Sequence, residues 1–240
     1  ARERLISNVT SGRAAGLPRR AFVGERDEAG KWVGKMDHLA CFWPGALALA
    51  VREGALPSHP HLSDAEAVLR TCLDMHSTPS RLAPEITRLD GEGKLVVWPR
   101  DAHNLLRPET LESLYVVWSV TGDDSLRDRA WEVFDAMERA ARVISTPGEE
   151  GGGGDQGAPG GDGVVDGYAC VEDVMRPVDA ARGPGKGAQG ARDSMPSYWM
   201  AESIKYAWLA TSGTDLTRSH VFNTEAHPFP RVKKQAASPL

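Results

Sequence analysis

Two neighbouring segments carry apolar side chains at helical spacing, and only a few residues separate them. In the first, Leu111, Leu114, Tyr115 and Trp118 fall at i, i+3, i+4 and i+7, which gathers them on one helix face. Arg107-Pro108 opens this helix, Pro108 taking a first-turn position where a missing N–H costs nothing, and Gly122 stops it. The second runs from about Ser125 to Val143 and repeats the period with Leu126, Ala130, Val133, Phe134, Met137 and Ala141. An amphipathic helix is stable only when its apolar face is covered. The pair therefore predicts helical hairpins stacked as a bundle, solenoid or toroid.

Three more helices fit the same architecture. One spans about Asp37 to Glu53 and ends at Gly54 and Pro57; Pro44 falls inside it, so either the helix kinks there or it starts there. Another begins at Ser63, where Ser63-Asp64-Ala65-Glu66 reads as a capping box, and reaches about His76. The last runs from about Pro196 to Thr211. Leu95 to Trp98 and Val221 to Asn223 are short strands, and residues 1–36 read as loop or extended chain. Glycine dominates residues 146–192, as in Gly151 to Gly154. Such a segment buries too little apolar surface to offset its ordering entropy, so it is expected to be a flexible insert. The class is all-α with accessory strands.

Composition removes several functions. The 240 residues carry 28 basic and 33 acidic side chains, a net charge of −5, which argues against non-specific nucleic-acid binding. The longest apolar run, Ala40 to Val51, is about half of the ~20 residues a membrane span needs. Ala1-Arg2-Glu3-Arg4 does not read as a signal peptide. Three cysteines without a Cys-x-x-Cys spacing exclude a disulfide-dense scaffold and the usual zinc patterns. Cys41 and Cys72 would stabilise the fold by roughly 3–4 kcal/mol if paired, but two buried thiols are an equal reading. Cys170 falls in the segment expected to be flexible. Asn8-Val9-Thr10 is a sequon that fits the secretory pathway.

Four places set polar residues beside buried helices. Asp37-His38 opens the first helix, where capping and a satisfied histidine are the plain alternative to a site. Glu109 and Glu112 project from one face of a helix's first turn, where the positive end of the dipole favours the ionised form. That suits a general base or an electrostatic ligand, although first-turn glutamates often do no more than complement the dipole. Tyr198-Trp199-Met200-Ala201-Glu202 joins aromatic faces to a carboxylate, the pairing a sugar site uses and any amphipathic helix can contain. Phe222-Asn223-Thr224-Glu225-Ala226-His227-Pro228 offers Thr and Glu oxygens, which suit Ca²⁺ better than Zn²⁺.

In order and wording these blocks resemble one family. Met36 to Gly45, Ala83-Pro84-Glu85-Ile86, His103 to Ser113, Ala201 to Tyr206 and the Phe222–Pro228 heptad are similar to the class I α-1,2-mannosidases, glycoside hydrolase family 47. The resemblance covers most of residues 20–230 outside the glycine-rich insert. It implies an (αα)7 barrel, about half of it present as the C-terminal half of a catalytic domain over residues 1–240, with minor β-hairpins. It further implies inverting, Ca²⁺-dependent hydrolysis of terminal α-1,2-linked mannose from high-mannose N-glycans.

By the same matching Glu109 is the general base and Thr224 the direct calcium ligand. Asp37, His38, Arg107, Tyr198, Glu85, Glu112, Glu202 and Glu225 bind substrate or the calcium's water shell. Cys41 and Cys72 form a disulfide. Pro196 stands where the family usually carries a glutamate. The general acid is expected upstream, as is the signal anchor that would place the protein in the lumen of the endoplasmic reticulum or Golgi; contact with a membrane is expected only through that anchor. A non-catalytic lectin for N-glycans of misfolded glycoproteins is the alternative, and a helical-repeat interaction module is a third.

Overall fold

Buried apolar side chains gather in two clusters, and the candidate residues lie along the larger one. The computed structural model describes residues 6–8, 19–145, 164–178 and 191–232. In chain order, β1 (Ile6–Asn8) pairs with β2 (Ala21–Val23), and β3 (Glu25–Arg26) with β4 (Trp32–Val33). β5 (Lys35–Asp37) joins β6 (Ile86–Leu89) and β7 (Leu95–Val96) in a three-stranded antiparallel sheet.

Between β5 and β6, a 3-10 turn over His38–Phe42 leads into α1 (Trp43–Arg52) with Pro44 in its first turn. Of the two readings of this segment, the start at the proline is the one realised, because only there is the missing N–H harmless. α2 (Ser58–Met75) begins before Ser63: the chain bends at His59, which has extended backbone angles, and continues as helix. The expected capping box does not form. Ser63 already lies inside the helix, where its hydroxyl donates to the Pro60 carbonyl at 2.7 Å, while Glu66 pairs with Arg70 at 3.2 Å.

α3 (Glu109–Thr121) and α4 (Ser125–Ala141) form the hairpin expected from the two stripes, with Gly122 at φ 73° supplying the left-handed stop. Leu111, Leu114, Tyr115, Ala130, Val133, Met137 and Ala141 are buried in the larger cluster, and Trp118, Leu126 and Phe134 pack against it. A π-turn over Trp199–Ser203 leads into α5 (Ile204–Ser212), which packs on α3 and α4. β12 (His220–Phe222) and β13 (Pro228–Pro230) close a hairpin over this layer.

Of the stretch over 146–192, residues 164–178 and 191–192 are described, and they are paired and partly buried. β8 (Arg142–Ser145) pairs with β9 (Val164–Tyr168), and β10 (Cys170–Val171) with β11 (Ala191–Arg192). Cys170, Val171 and Val174 enter the larger cluster, so Cys170 is a buried free thiol rather than a residue of a loose loop. Residues 164–178 hold one glycine and five valines, so this part of the stretch has the apolar side chains that burial needs. Residues 146–163 and 179–190 lie outside the described residues, as do residues 9 and 10 of the sequon.

The smaller cluster holds Phe22, Met36, Val68 and Met75 around the Cys41–Cys72 disulfide, whose Cα atoms are 5.8 Å apart. That bond ties the turn after His38 to α2.

Candidate active site

The loop before α3 is locked on every side. Asn104 donates through its amide to the Ala83 carbonyl at 2.8 Å and accepts from the Leu106 N–H at 2.9 Å, while its backbone bridges Val171. Leu106 has φ 59°, and its carbonyl accepts the Ser203 hydroxyl at 2.7 Å. The Glu85 N–H reaches the His103 carbonyl at 2.8 Å, and the His38 N–H reaches the Glu85 carbonyl at 2.8 Å. Segments far apart in sequence are thus stitched together around the first turn of α3.

Glu109 stands in that turn, buried, with its Oε2 2.9 Å from Nδ1 of His38. Burial pushes its carboxyl up, but the His38 hydrogen bond and charge, a backbone N–H and the Arg107 charge together hold it below the usual carboxylate range. His38 is itself buried, and its Nε2 lies 3.4 Å from the Thr110 hydroxyl.

Glu112, one turn on, behaves in the opposite way. Burial, offset in part by a 3.1 Å hydrogen bond from the Tyr206 hydroxyl and reinforced by Glu202 and Glu109, pushes its carboxyl up to about 7. Glu202, offered by the π-turn, is likewise raised to about 7, by burial and by the charges of Glu225 and Glu109. Glu109, Glu112, Glu202 and Thr224 line one cavity of about 530 Å³, together with Leu39, Phe42 and other largely apolar residues.

The heptad that carries Thr224 is a tight turn. Asn223 Oδ1 accepts the N–H groups of Glu225 (3.0 Å) and His227 (2.9 Å), and Ala226 at φ 52° gives its carbonyl to Lys205 Nζ at 2.7 Å. No three His, Cys, Asp or Glu side chains among the described residues converge closely enough to hold a metal ion by themselves. Thr224 brings a hydroxyl oxygen to the cavity that Glu112 and Glu202 also line, and oxygens are the ligands a hard cation takes.

Arg107 grips Glu85 through Nε, at 2.7 and 2.9 Å to the two carboxylate oxygens, and lies 5.9 Å from the Tyr198 ring. The Tyr198 hydroxyl donates to the Leu105 carbonyl at 2.8 Å. These three make a second group beside the cavity, linked to Glu109 by the Arg107 charge. Asp37 stands apart: Lys35 Nζ reaches it at 3.3 Å and Glu25 at 2.8 Å, and burial together with Glu25 raises the Asp37 carboxyl. Motif reading gave no role to Tyr206, the hydrogen-bond donor to Glu112, although it lies one helical turn after Glu202.

A second cavity, about 610 Å³, opens between α2, α3 and α4 and holds none of the expected site residues. Its charges are largely paired, as in Arg20–Asp74, Arg70–Glu66 and Arg129–Glu132, so its size does not make it the site.

The family described as "Glycosyl hydrolase family 47" matches residues 2–231. The human endoplasmic reticulum mannosyl-oligosaccharide 1,2-alpha-mannosidase is 37% identical over 218 residues, spanning 87% of this chain and 27% of that protein. A Candida albicans mannosyl-oligosaccharide 1,2-alpha-mannosidase is 33% identical over 233 residues, 88% of this chain and 37% of its own. The structure of an alpha-1,2-mannosidase from Trichoderma reesei superposes with a TM-score of 0.67 at 25% identity, covering 88% of this chain and 42% of that one. The chain thus spans between about a quarter and two fifths of the length of these relatives.

Proposed function

The chain belongs to glycosyl hydrolase family 47, and from that premise we propose that it carries the base side of an active site removing terminal α-1,2-linked mannose from high-mannose N-glycans. The observation that carries this reading is Glu109, buried yet held ionised by His38 and Arg107, facing a cavity shared with two raised carboxyls and Thr224. A general base must hold its proton weakly enough to be ionised when water arrives and be aimed into the space the substrate occupies. In an inverting hydrolase it takes the proton of the water that attacks the anomeric carbon opposite the leaving oxygen. We place the proton donor for that oxygen outside these residues, and the (αα)7 barrel in the complete protein.

Thr224 would hold a Ca²⁺ ion through its hydroxyl and carbonyl, with Glu85, Glu112, Glu202 and Glu225 in the surrounding water and sugar shell. Bound there, calcium supplies orientation of sugar hydroxyls and water and offsets the crowding of Glu112, Glu202 and Glu225. Arg107, fixed by Glu85, donates towards sugar oxygens, and Tyr198 presents a ring face to the C–H side of a mannose. Relatives named for the endoplasmic reticulum support a secretory-pathway lumen. No helix among the described residues is long and apolar enough to cross a membrane.

The test is mannose release from a high-mannose N-glycan with calcium present, by this chain and by any longer product of its gene. In whichever preparation is active, Glu109→Gln is expected to slow release by about 10²-fold or more and to leave stabilisation by calcium intact. Release that falls by less than about tenfold on the substitution would falsify the assignment of the base.

A further inference from the structure

Three non-glycine residues among those described have positive φ: Arg81 at 63°, Leu106 at 59° and Ala226 at 52°. L-residues avoid this region, so each persists because its surroundings fix it. Each presents its carbonyl to a side chain. Leu106 accepts from Ser203 and Ala226 from Lys205, both at the site. Arg81 faces Nδ1 of His76 at 3.2 Å. The turn around it is cross-braced, with Thr78 Oγ1 donating to the Leu82 carbonyl at 2.7 Å and Ser80 Oγ accepting the Leu82 N–H at 3.2 Å.

The geometry assigns His76 as a positioning residue, whose anchored ring holds the His38 imidazole in the orientation that meets Glu109. The two histidine rings stand edge to face, 6.3 Å apart between centroids at 72°. The polar contacts of the buried His38 ring are the Glu109 contact at Nδ1 and a long 3.4 Å approach to Thr110, so its orientation also depends on what its faces pack against, His76 among them. A carbonyl can only accept, so His76 donates through Nδ1 and Nε2 is left as an acceptor. That Nε2 is buried without a hydrogen-bond partner, although the residue as a whole is partly exposed and lines the 610 Å³ cavity. Burial and the nearby His38 hold the His76 imidazole down at about 3, so the ring stays neutral and the tautomer fixed. A histidine with an orphaned nitrogen, set by a strained carbonyl, is poorly explained as filler.

The inference rests on the reading of Glu109 as the base. Its test is long-range imidazole ¹H–¹⁵N spectroscopy of the chain, reading the exchange protection of the His38 Nδ1–H. Wild type is expected to show a protected His38 Nδ1–H, assigned apart from that of His76, which Glu109→Gln perturbs. His76→Leu, which keeps bulk, and His76→Ala are each expected to cut protection by about tenfold or more, with thermal unfolding to confirm that the fold survives. Undiminished protection in a folded His76→Leu variant overturns the positioning role and leaves the base reading standing. A wild type without a protected Nδ1–H, insensitive to Glu109→Gln, overturns both.

Discussion

Two walls of one cavity, three residues apart on α3, give the same side chain opposite behaviour. Glu109 faces an imidazole and a guanidinium and is held below the ordinary carboxylate range; Glu112 faces a phenol and other carboxylates and is pushed up to about 7. Burial opposes ionisation at both, so the neighbours decide. On the proposed reading the first wall receives a proton, whereas at the second Lys205 offsets only part of the carboxylate crowding. Glu109→Gln is the strongest way to break this contrast. Where mannose release is measurable, it should lower kcat by about 10²–10⁴-fold, the usual loss on removing a general base, with KM little changed.

The second wall should respond to a cation rather than to chemistry. Calcium at about a hundred times its Kd should stabilise the chain by about 2.7 kcal/mol in thermal unfolding, and Thr224→Ala should remove most of that gain. The pH dependence carries a definite sign. Glu112 and Glu202 hold protons to about 7 in the folded chain and release them near 4.5 when unfolded. These two carboxyls therefore contribute a loss of stability as pH rises from about 4.5 to 7, since the unfolded state ionises first, while His76, held at about 3, contributes a gain between about 3 and 6.5. Glu112→Gln should flatten part of this slope and, without calcium, stabilise the chain at pH 8 by on the order of 2 kcal/mol. An unchanged slope would mean that the two carboxyls are better solvated than their burial indicates.

The contrast was only half legible in the sequence. Spacing placed Glu109 and Glu112 on one face, and the stripes from Leu111 to Ala141 gave the hairpin that holds them, because periodicity reports burial directly. The motif blocks named ten site residues, of which Glu109, Glu112, Glu202 and Thr224 share the cavity. Glu85, Arg107 and Tyr198 form the adjoining group, His38 holds Glu109, Glu225 is felt through its charge on Glu202, and Asp37 turns towards Lys35. What spacing could not show is which carboxyl meets which partner: His38 and Glu109 lie 71 residues apart, and only the tertiary fold joins them. Propensity misjudged the stretch around Cys170 for a related reason. Glycine dominates only when 146–192 is read as one block; residues 164–178 hold a single glycine against five valines, and Val171 and Val174 are buried in the core beside the Asn104 bridge.

Smaller substitutions sharpen the contrast without abolishing either wall. Arg107→Lys keeps the charge but loses the planar fork that meets both Glu85 oxygens. It should cost about 1–2 kcal/mol in thermal unfolding and weaken glycan binding more than turnover. Both partners are mostly shielded from solvent, their side chains 20% and 14% exposed, so screening removes only part of that cost.

Tyr206→Phe should act least, and on one wall only. Its hydroxyl is the group that lowers Glu112, and the deletion leaves the ring packing with Tyr115 and Phe222 in place. The loss should be about 1 kcal/mol, with the Glu112 titration moving further upward and the His38–Glu109 pair unaltered. Infrared difference spectra of the carboxyl band across pH 5–9 would follow Glu112, and the His38 imidazole proton would follow Glu109. If both respond, the two walls share one hydrogen-bonded network through the first turn of α3, and Glu109 owes its ionisation to more than His38 and Arg107.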